Sequence, residues 1–136
     1  MALEQYPSLT PITGLVFEAY MSRKDIGSGI RVFVVYKVGR KYVSLFYGPQ
    51  LIRIQLTWGE WKKLYMQPIE EFNALSFKQR IKAKLEQAAR FNMQFNADMV
   101  KRICSLKLTN GLELFANARR ANVPRVPVTN VKRGTI

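Results

Sequence analysis

The sequence predicts an α+β protein in which a four-stranded antiparallel β-sheet is packed by one helix (ββββα). Short apolar runs separated by glycine-containing turns fill residues 14–56, and after residue 57 the apolar residues recur with the period of a helix. A basic helical extension and an extended basic arm follow, because residues 119–136 contain two prolines, five cations and no acid. The predicted units are residues 1–75, the sheet with its helix; 76–121, the helical extension; and 122–136, the arm.

Four runs are predicted to be strands, at residues 14–21, 30–38, 41–47 and 51–56. Gly39-Arg40 is predicted to form a two-residue hairpin turn in which Gly39 has a positive φ. Side chains alternate between the faces of a strand, so parity assigns each residue to one face of the sheet. One face is apolar throughout and is expected to form the core: Leu15, Phe17, Ala19, Ile30, Val32, Val34, Tyr36, Val43, Leu45, Tyr47, Ile52, Ile54 and Leu56.

The opposite face mixes aromatic rings with cations: Glu18, Tyr20, Arg31, Phe33, Lys37, Tyr42, Ser44, Phe46, Arg53 and Gln55. Such a mixture indicates a platform for single-stranded nucleic acid, since rings stack on unpaired bases and cations bind phosphates. The expected stacking residues are Phe33, Tyr42 and Phe46, and the expected phosphate ligands are Arg31, Lys37, Arg40, Lys41 and Arg53. An alternative interpretation is that these aromatic residues pack beneath the later helices or in a dimer interface.

The first helix is predicted to begin at Thr57, because Thr57 and Glu60 have the spacing of a capping box. Trp58, Trp61, Leu64 and Tyr65 form an apolar stripe, which is expected to cover the apolar face of the sheet. Pro68 is expected to end this helix or to start a short helix that continues through Phe72.

Residues 76–95 predict a second helix, with Ser76 and Gln79 as its capping pair. Its apolar stripe consists of Phe77, Ile81, Leu85, Ala88 and Phe91 or Phe95, and its opposite side carries Lys78, Arg80, Lys82, Lys84 and Arg90 with only Glu86 for balance. Residues 97–109 fit a helix or a strand; a helix with Gly111 as its C′ residue is favoured, followed by another through Ala121. Further expected phosphate ligands are Lys78, Lys82, Arg119 and Arg120.

The net charge of +13, from 22 Lys and Arg against 9 Asp and Glu, indicates a polyanionic partner. Residues 1–75 hold nine cations and six anions, whereas residues 76–136 hold thirteen and three. Most of the excess charge therefore lies in the second half of the chain. A positive surface of this kind suits nucleic acid or an anionic membrane.

Several functional classes are disfavoured by the residues that the chain lacks. With no His and with Cys104 as the single cysteine, neither an intrachain disulfide nor the usual zinc ligand sets can form. A metal-dependent nuclease is disfavoured because the carboxylates are scattered and only Glu70-Glu71 are adjacent. No cofactor and no enzymatic activity are therefore expected. No secretory leader or apolar run of about 20 residues is present, so we expect an intracellular protein (cytoplasm, nucleus or nucleoid, of cellular or viral origin) without a membrane partner.

The segments "YKVGRKYVSLFY" and "IQLTWGEWKKL" resemble the positive cofactor 4 family of transcriptional coactivators and its single-stranded-DNA-binding relatives, over roughly residues 14–73. The resemblance implies that Tyr36, Lys37, Arg40, Lys41 and Tyr47 lie near DNA-contacting positions. It also implies a homodimer paired through its helices with a basic channel between the ribbons. The chain departs from the family in its short loop Gly48-Pro49-Gln50 and in Gly59 at the helix start.

Together these features predict a non-enzymatic protein that binds single-stranded nucleic acid, DNA in preference to RNA, in transcription or replication. The alternative function is a structural or assembly protein of a viral particle or ribonucleoprotein, in a larger nucleoprotein assembly. In that case the basic tail would thread between partners.

Overall fold

The computed structural model describes residues 3–48, 51–90 and 97–121, which form an α+β fold around a six-stranded antiparallel sheet. The strands are β1 (Glu4–Gln5), β2 (Val16–Arg23), β3 (Gly27–Val38), β4 (Tyr42–Tyr47), β5 (Ile52–Thr57) and β6 (Tyr65–Pro68). The helices are α1 (Trp58–Lys62), α2 (Ala74–Arg90), α3 (Ala97–Ser105) and α4 (Leu112–Ala121). Across the sheet the strand order is β1-β6-β2-β3-β4-β5.

The predicted strands correspond to β2, β3, β4 and β5, but the sheet has six strands rather than four. The expectation for Pro68 was wrong: Pro68 is the last residue of β6 and lies opposite Phe17 of β2. Proline lacks a backbone N–H and is tolerated at the end of a strand. β6 is only four residues long, and a segment this short does not show a strand period that would separate it from the helical stripe before it.

The turn between β3 and β4 also differs from the prediction, because three residues, 39–41, separate the strands. Gly39 does not have a positive φ, and its N–H donates to the carbonyl of Tyr42 at 2.9 Å. A β-bulge lies between Val35 and Lys37, where the register with β4 shifts by one residue. The bulge places Lys37 opposite Ser44 and determines where the cations near the turn lie.

The face assignment of β3 was wrong. β2 and β3 pair with Phe17 opposite Phe33 and Val16 opposite Val34. Directly opposed residues of an antiparallel pair lie on the same face of the sheet, so Phe33 belongs with Phe17 in the core. Phe33 stacks on Phe17 with ring centroids 5.7 Å apart and is fully buried, which contradicts its predicted role in base stacking.

Phe46 was also predicted to stack on bases, and its side chain is fully buried as well. It lies on the opposite face of the sheet from Phe33, in a second core with Val16 and Val34. Residues of α2 and α3, among them Ile81 and Ile103, cover this face and complete that core. Helices therefore cover the centre of both faces, which corrects the expectation of a fully open aromatic face. At the margins of the second face, Tyr20, Tyr42 and Arg53 remain exposed, as predicted.

α1 covers the first face as predicted. Its capping box is confirmed: the Thr57 hydroxyl accepts from the Glu60 N–H, and the Glu60 carboxylate accepts from the Thr57 N–H. Trp61 is buried against Phe17, and its indole N–H donates to the carbonyl of Leu9 at 3.0 Å. Phe115 and Ala118 of α4 complete this core.

α2 begins at Ala74, two residues earlier than predicted. The cap is Asn73, whose side-chain oxygen accepts from the Ser76 N–H at 2.9 Å, and this replaces the predicted Ser76 and Gln79 pair. Ile81 is buried and Phe77 and Leu85 are half-buried, as the predicted stripe requires. Phe91, Phe95 and the side chain of Ala88 lie outside the described residues, as does the arm of residues 122–136.

The helix predicted from residue 97 is confirmed as α3, but it ends at Ser105. Gly111 does not cap it; Gly111 has φ 61° and precedes α4. Between these helices, Thr109 forms a parallel β-bridge to Leu15, and the backbone passes very close to Gly14. A Cβ on Gly14 would lie 2.1 Å from the carbonyl oxygen of Lys107, so this approach requires glycine.

We predict that Phe46→Ala destabilises the fold by about 3–5 kcal/mol, the usual cost of removing a buried ring. The matched variant Tyr42→Ala, at a ring that is 43% exposed, should cost less than about 1 kcal/mol. Urea denaturation followed by tryptophan fluorescence measures both values. Equal small losses would contradict the burial of Phe46 beneath α2 and α3.

Candidate nucleic-acid interface

Five of the predicted site residues remain solvent-exposed on β3, β4 and β5 and in the turn between β3 and β4, and we call them the ribbon patch: Lys37, Arg40, Lys41, Tyr42 and Arg53. Arg40 and Lys41 form the turn that leads into Tyr42. Lys37 lies opposite Ser44, two residues from Tyr42 along β4. Arg53 lies opposite Phe46, four residues from Tyr42, and lines the same cleft as Tyr42. The register therefore groups three cations beside one exposed tyrosine, with a fourth further along the cleft.

The cations of the ribbon patch are not neutralised by carboxylates. The ion pairs between described residues are Arg23–Asp25 and Arg119–Glu4, and neither involves the patch. Two acids lie nearby, but Asp25 is paired with Arg23, and the Glu60 carboxylate accepts from the Thr57 N–H. None of the four patch cations is ion-paired within the described residues, so they are available to an external anion, although Glu60 keeps its negative charge in the cleft beside Arg53.

Tyr36 is held in the protein's own packing. Its ring stacks on Phe46 with centroids 4.1 Å apart and planes inclined by 16°. The Arg102 guanidinium lies over the same ring, 5.0 Å from its centroid. The Tyr36 ring is therefore packed beneath the patch, and Tyr42 is the patch ring whose face is accessible to a ligand.

A polar cleft of 560 Å³ adjoins the patch and is lined by Tyr36, Tyr42, Arg53, Ile54 and Gln55, by Arg23 from the end of β2, and by the carboxylates of Asp25 and Glu60. Arg23 reaches the opposite edge of the curved sheet, where its guanidinium donates to the carbonyl of Gln55 at 2.9 Å. This hydrogen bond satisfies an acceptor on edge strand β5 and brings a further cation to the cleft.

Arg31, predicted to bind phosphate, is half-buried. One nitrogen, Nη2, donates to the carbonyl of Ile26 at 2.9 Å, and the guanidinium lies 5.5 Å from the centroid of the Tyr47 ring. Its other terminal nitrogen, Nη1, is buried and has no acceptor among the described residues. Tyr47, which the family resemblance placed near DNA, is buried in the same contact.

The predicted cations outside the sheet have different environments. Lys78 donates to the carbonyl of Leu106 at 2.8 Å and so joins α2 to the segment after α3. Lys82 is exposed on α2. Arg120 donates to the side chain of Asn117 at 3.1 Å.

Arg119 is engaged in a network with Glu4 and Tyr6 that ties the N-terminal segment to α4. The hydrogen bond from Tyr6, and after it that from Arg119, lowers the pKa of Glu4. Burial, and then the hydrogen bond to Glu4, raises the pKa of Tyr6. Arg119 is thus paired with a carboxylate of the same chain at the protein surface, and its role in phosphate binding stays a prediction.

We predict that Glu4→Gln lowers the melting temperature at pH 7. A carboxylate with a folded pKa below its ordinary 4.5 stabilises the fold above that pH and loses the contribution as the pH falls through the folded pKa. The difference in melting temperature from the unmodified protein should therefore shrink below pH 4.5. Thermal denaturation from pH 7 to pH 3 measures this, with exposed Glu71→Gln as the control. A difference that stays constant through the acid range would contradict the network.

Parity reasoning missed a row of exposed apolar side chains, Tyr65, Tyr20 and Ile30, which lie directly opposite one another on β6, β2 and β3. Their exposed fractions are 48%, 43% and 60%. Tyr20 was assigned to the outward face, but Tyr65 was assigned to the first helix. Arg23 and Arg102 were also missed, because each reaches its site through a contact distant in sequence.

The described residues contain no cluster of acidic or cysteine side chains that could hold a metal ion. Within the same ranges, no helix has the length and apolar character needed to cross a membrane.

Comparison with known proteins gives no match to any protein-family model, curated protein or solved structure.

Proposed function

We propose that the protein is a non-enzymatic binder of single-stranded nucleic acid and that it binds through the ribbon patch. The observation that carries this function is the grouping of Lys37, Arg40 and Lys41, none of them ion-paired within the described residues, beside the exposed ring of Tyr42. Arg53 adds a fourth cation in the adjoining cleft. The resemblance to the positive cofactor 4 family favours DNA over RNA.

Tyr42 favours a single strand because unpaired bases offer free faces, whereas the bases of a duplex are already stacked on each other. One base on one aromatic ring contributes about 1–3 kcal/mol. Lys37, Arg40, Lys41 and Arg53 surround the ring at positions where they can follow the phosphates on either side of a stacked base.

The binding surface differs from the broad platform expected from the sequence. α2 and α3 cover the centre of one face of the sheet, and α1 and α4 cover the other, so the exposed margin near the turn carries the contacts. A strand bound here would lie across the ends of β3, β4 and β5 and would continue along the polar cleft that contains Arg23.

The test is fluorescence anisotropy with an oligothymidine of about 15 nucleotides, within the site sizes of small single-strand-binding domains, and with a duplex of equal length. We expect tighter binding to the single strand, with an affinity that falls as salt rises. Arg40→Gln/Lys41→Gln removes two phosphate ligands and should lower the slope of log affinity against log salt by about 1.4, at about 0.7 per phosphate.

The control variant Arg90→Gln/Lys107→Gln removes the same charge from exposed positions outside the patch and should keep the original slope. Equal slope changes in the two double variants would indicate attraction by net charge and would contradict a localised site. Equal affinity for duplex and single strand would contradict the role of Tyr42.

A further inference from the structure

A second concavity, a groove of 340 Å³, lies between α2 and the sheet, beside β3 and the end of β4 that is away from the β3–β4 turn. Its walls include Ile30, Val32 and Val34 of β3 and Phe77 and Ile81 of α2. Among the described lining residues, Arg80 and Lys84 place their charged groups at the mouth of the groove, whereas the guanidinium of Arg31 lies over Tyr47 on the other face of the sheet. The groove therefore has an apolar floor and a cationic rim.

On the basis of the proposed function, we infer that this groove receives one unpaired nucleobase, whose phosphate is bound by Arg80 and Lys84. The volume lies at the lower end of the range for small-ligand pockets, which suits one nucleotide and excludes a base pair with its backbone. A base taken out of its stack needs apolar and aromatic walls, with cations at the mouth for its phosphate.

One detail of the groove favours a base over another apolar ligand. Phe77 supplies an aromatic wall, and the Arg80 guanidinium lies over it, 5.8 Å from the ring centroid. A flat base can stack on such a wall, whereas an aliphatic chain cannot. Arg31 does not contribute, because it lies opposite Ala19 and its guanidinium lies over Tyr47 on the other face of the sheet.

The groove also adjoins surfaces where neighbouring nucleotides can bind. Ile30 lines the groove and lies opposite Tyr20, which lies opposite Tyr65, so two exposed rings follow the mouth of the groove. Glu18, the carboxylate in the next row of that face, accepts a hydrogen bond from Gln67 at 3.0 Å. On the other side, Phe46 lines the groove and lies opposite Arg53 of the ribbon patch.

The charge of the rim excludes one internal occupant. Residues 122–136 carry three cations and no acid, so the like charge of the arm opposes its entry between Arg80 and Lys84. The cationic rim favours an anionic ligand, and a nucleotide supplies both the anion and the flat apolar body.

The test uses oligothymidine with one central 2-aminopurine, a fluorescent adenine analogue. In the unmodified protein, binding should protect this base from acrylamide quenching. Val32→Phe fills the groove without changing its charge; it should abolish the protection and weaken binding by about fivefold or more, the scale of one stacked base. Lys84→Gln should weaken binding by about threefold, the scale of one partly exposed ion pair, while Lys107→Gln should leave affinity unchanged.

The outcomes separate this inference from the proposed function. In one outcome the oligonucleotide binds and Arg40→Gln/Lys41→Gln weakens the binding, but Val32→Phe and Lys84→Gln bind like the unmodified protein and the 2-aminopurine stays accessible to the quencher. That outcome overturns the groove assignment and leaves the ribbon patch standing. If no oligonucleotide binds, both are overturned. Binding of dodecanoate in the groove, without any protection of 2-aminopurine from quenching, would assign the groove to an acyl carboxylate and overturn the nucleobase assignment.

Discussion

The register between β2 and β3 is the constraint on which the rest of the structure depends. Because Phe17 lies opposite Phe33 and Val16 opposite Val34, each face of the central strands is apolar. A sheet with two apolar faces must be covered on both sides, and the chain supplies α1 and α4 for one face and α2 and α3 for the other. A register slip of one residue would move every side chain of β3 to the wrong layer.

The energies explain why the central rings stay inside. Burying a phenylalanine stabilises the fold by about 1.5–3 kcal/mol, and its removal from a packed core costs about 3–5 kcal/mol. Stacking on one base returns about 1–3 kcal/mol, and exposing Phe46 would also uncover the helix faces packed on it. A nucleic acid therefore cannot compete for these rings, and the proposed binding is restricted to the ribbon patch and to the groove beside α2.

Much of the fold could be predicted because its signals are local. The strands β2–β5, the Thr57 capping box and the helical character of residues 76–90, 97–105 and 112–121 follow from apolar period and cap spacing. The alternation of side chains assigns faces reliably within one strand, but the assignment cannot be carried across a loop. The segment Lys24–Ile26 sets Arg23 opposite Gly27, and this pairing puts the side chains of β3 on the opposite faces from those predicted. Recognising β6 requires its partner β2, since four residues show no distinctive period.

The site was predictable to a similar extent and for similar reasons. Lys37, Arg40, Lys41, Tyr42 and Arg53 are adjacent in a hairpin and its neighbouring strand, so their proximity follows from local pairing. Arg119 pairs with Glu4, more than a hundred residues away, and no sequence pattern reveals this ion pair. The row of Tyr20, Tyr65 and Ile30 emerges only when three strands are aligned.

The most direct measurement of this closed-sheet arrangement is an amide chemical-shift titration of the isotope-labelled protein with oligothymidine. We expect the largest changes at residues 37–42, at Arg53 and around the groove, while the aromatic signals of Phe33 and Phe46 stay unchanged. Changes confined to residues 122–136, or centred on Phe33 and Phe46, would contradict a sheet whose central rings are covered on both faces and that binds at its margins.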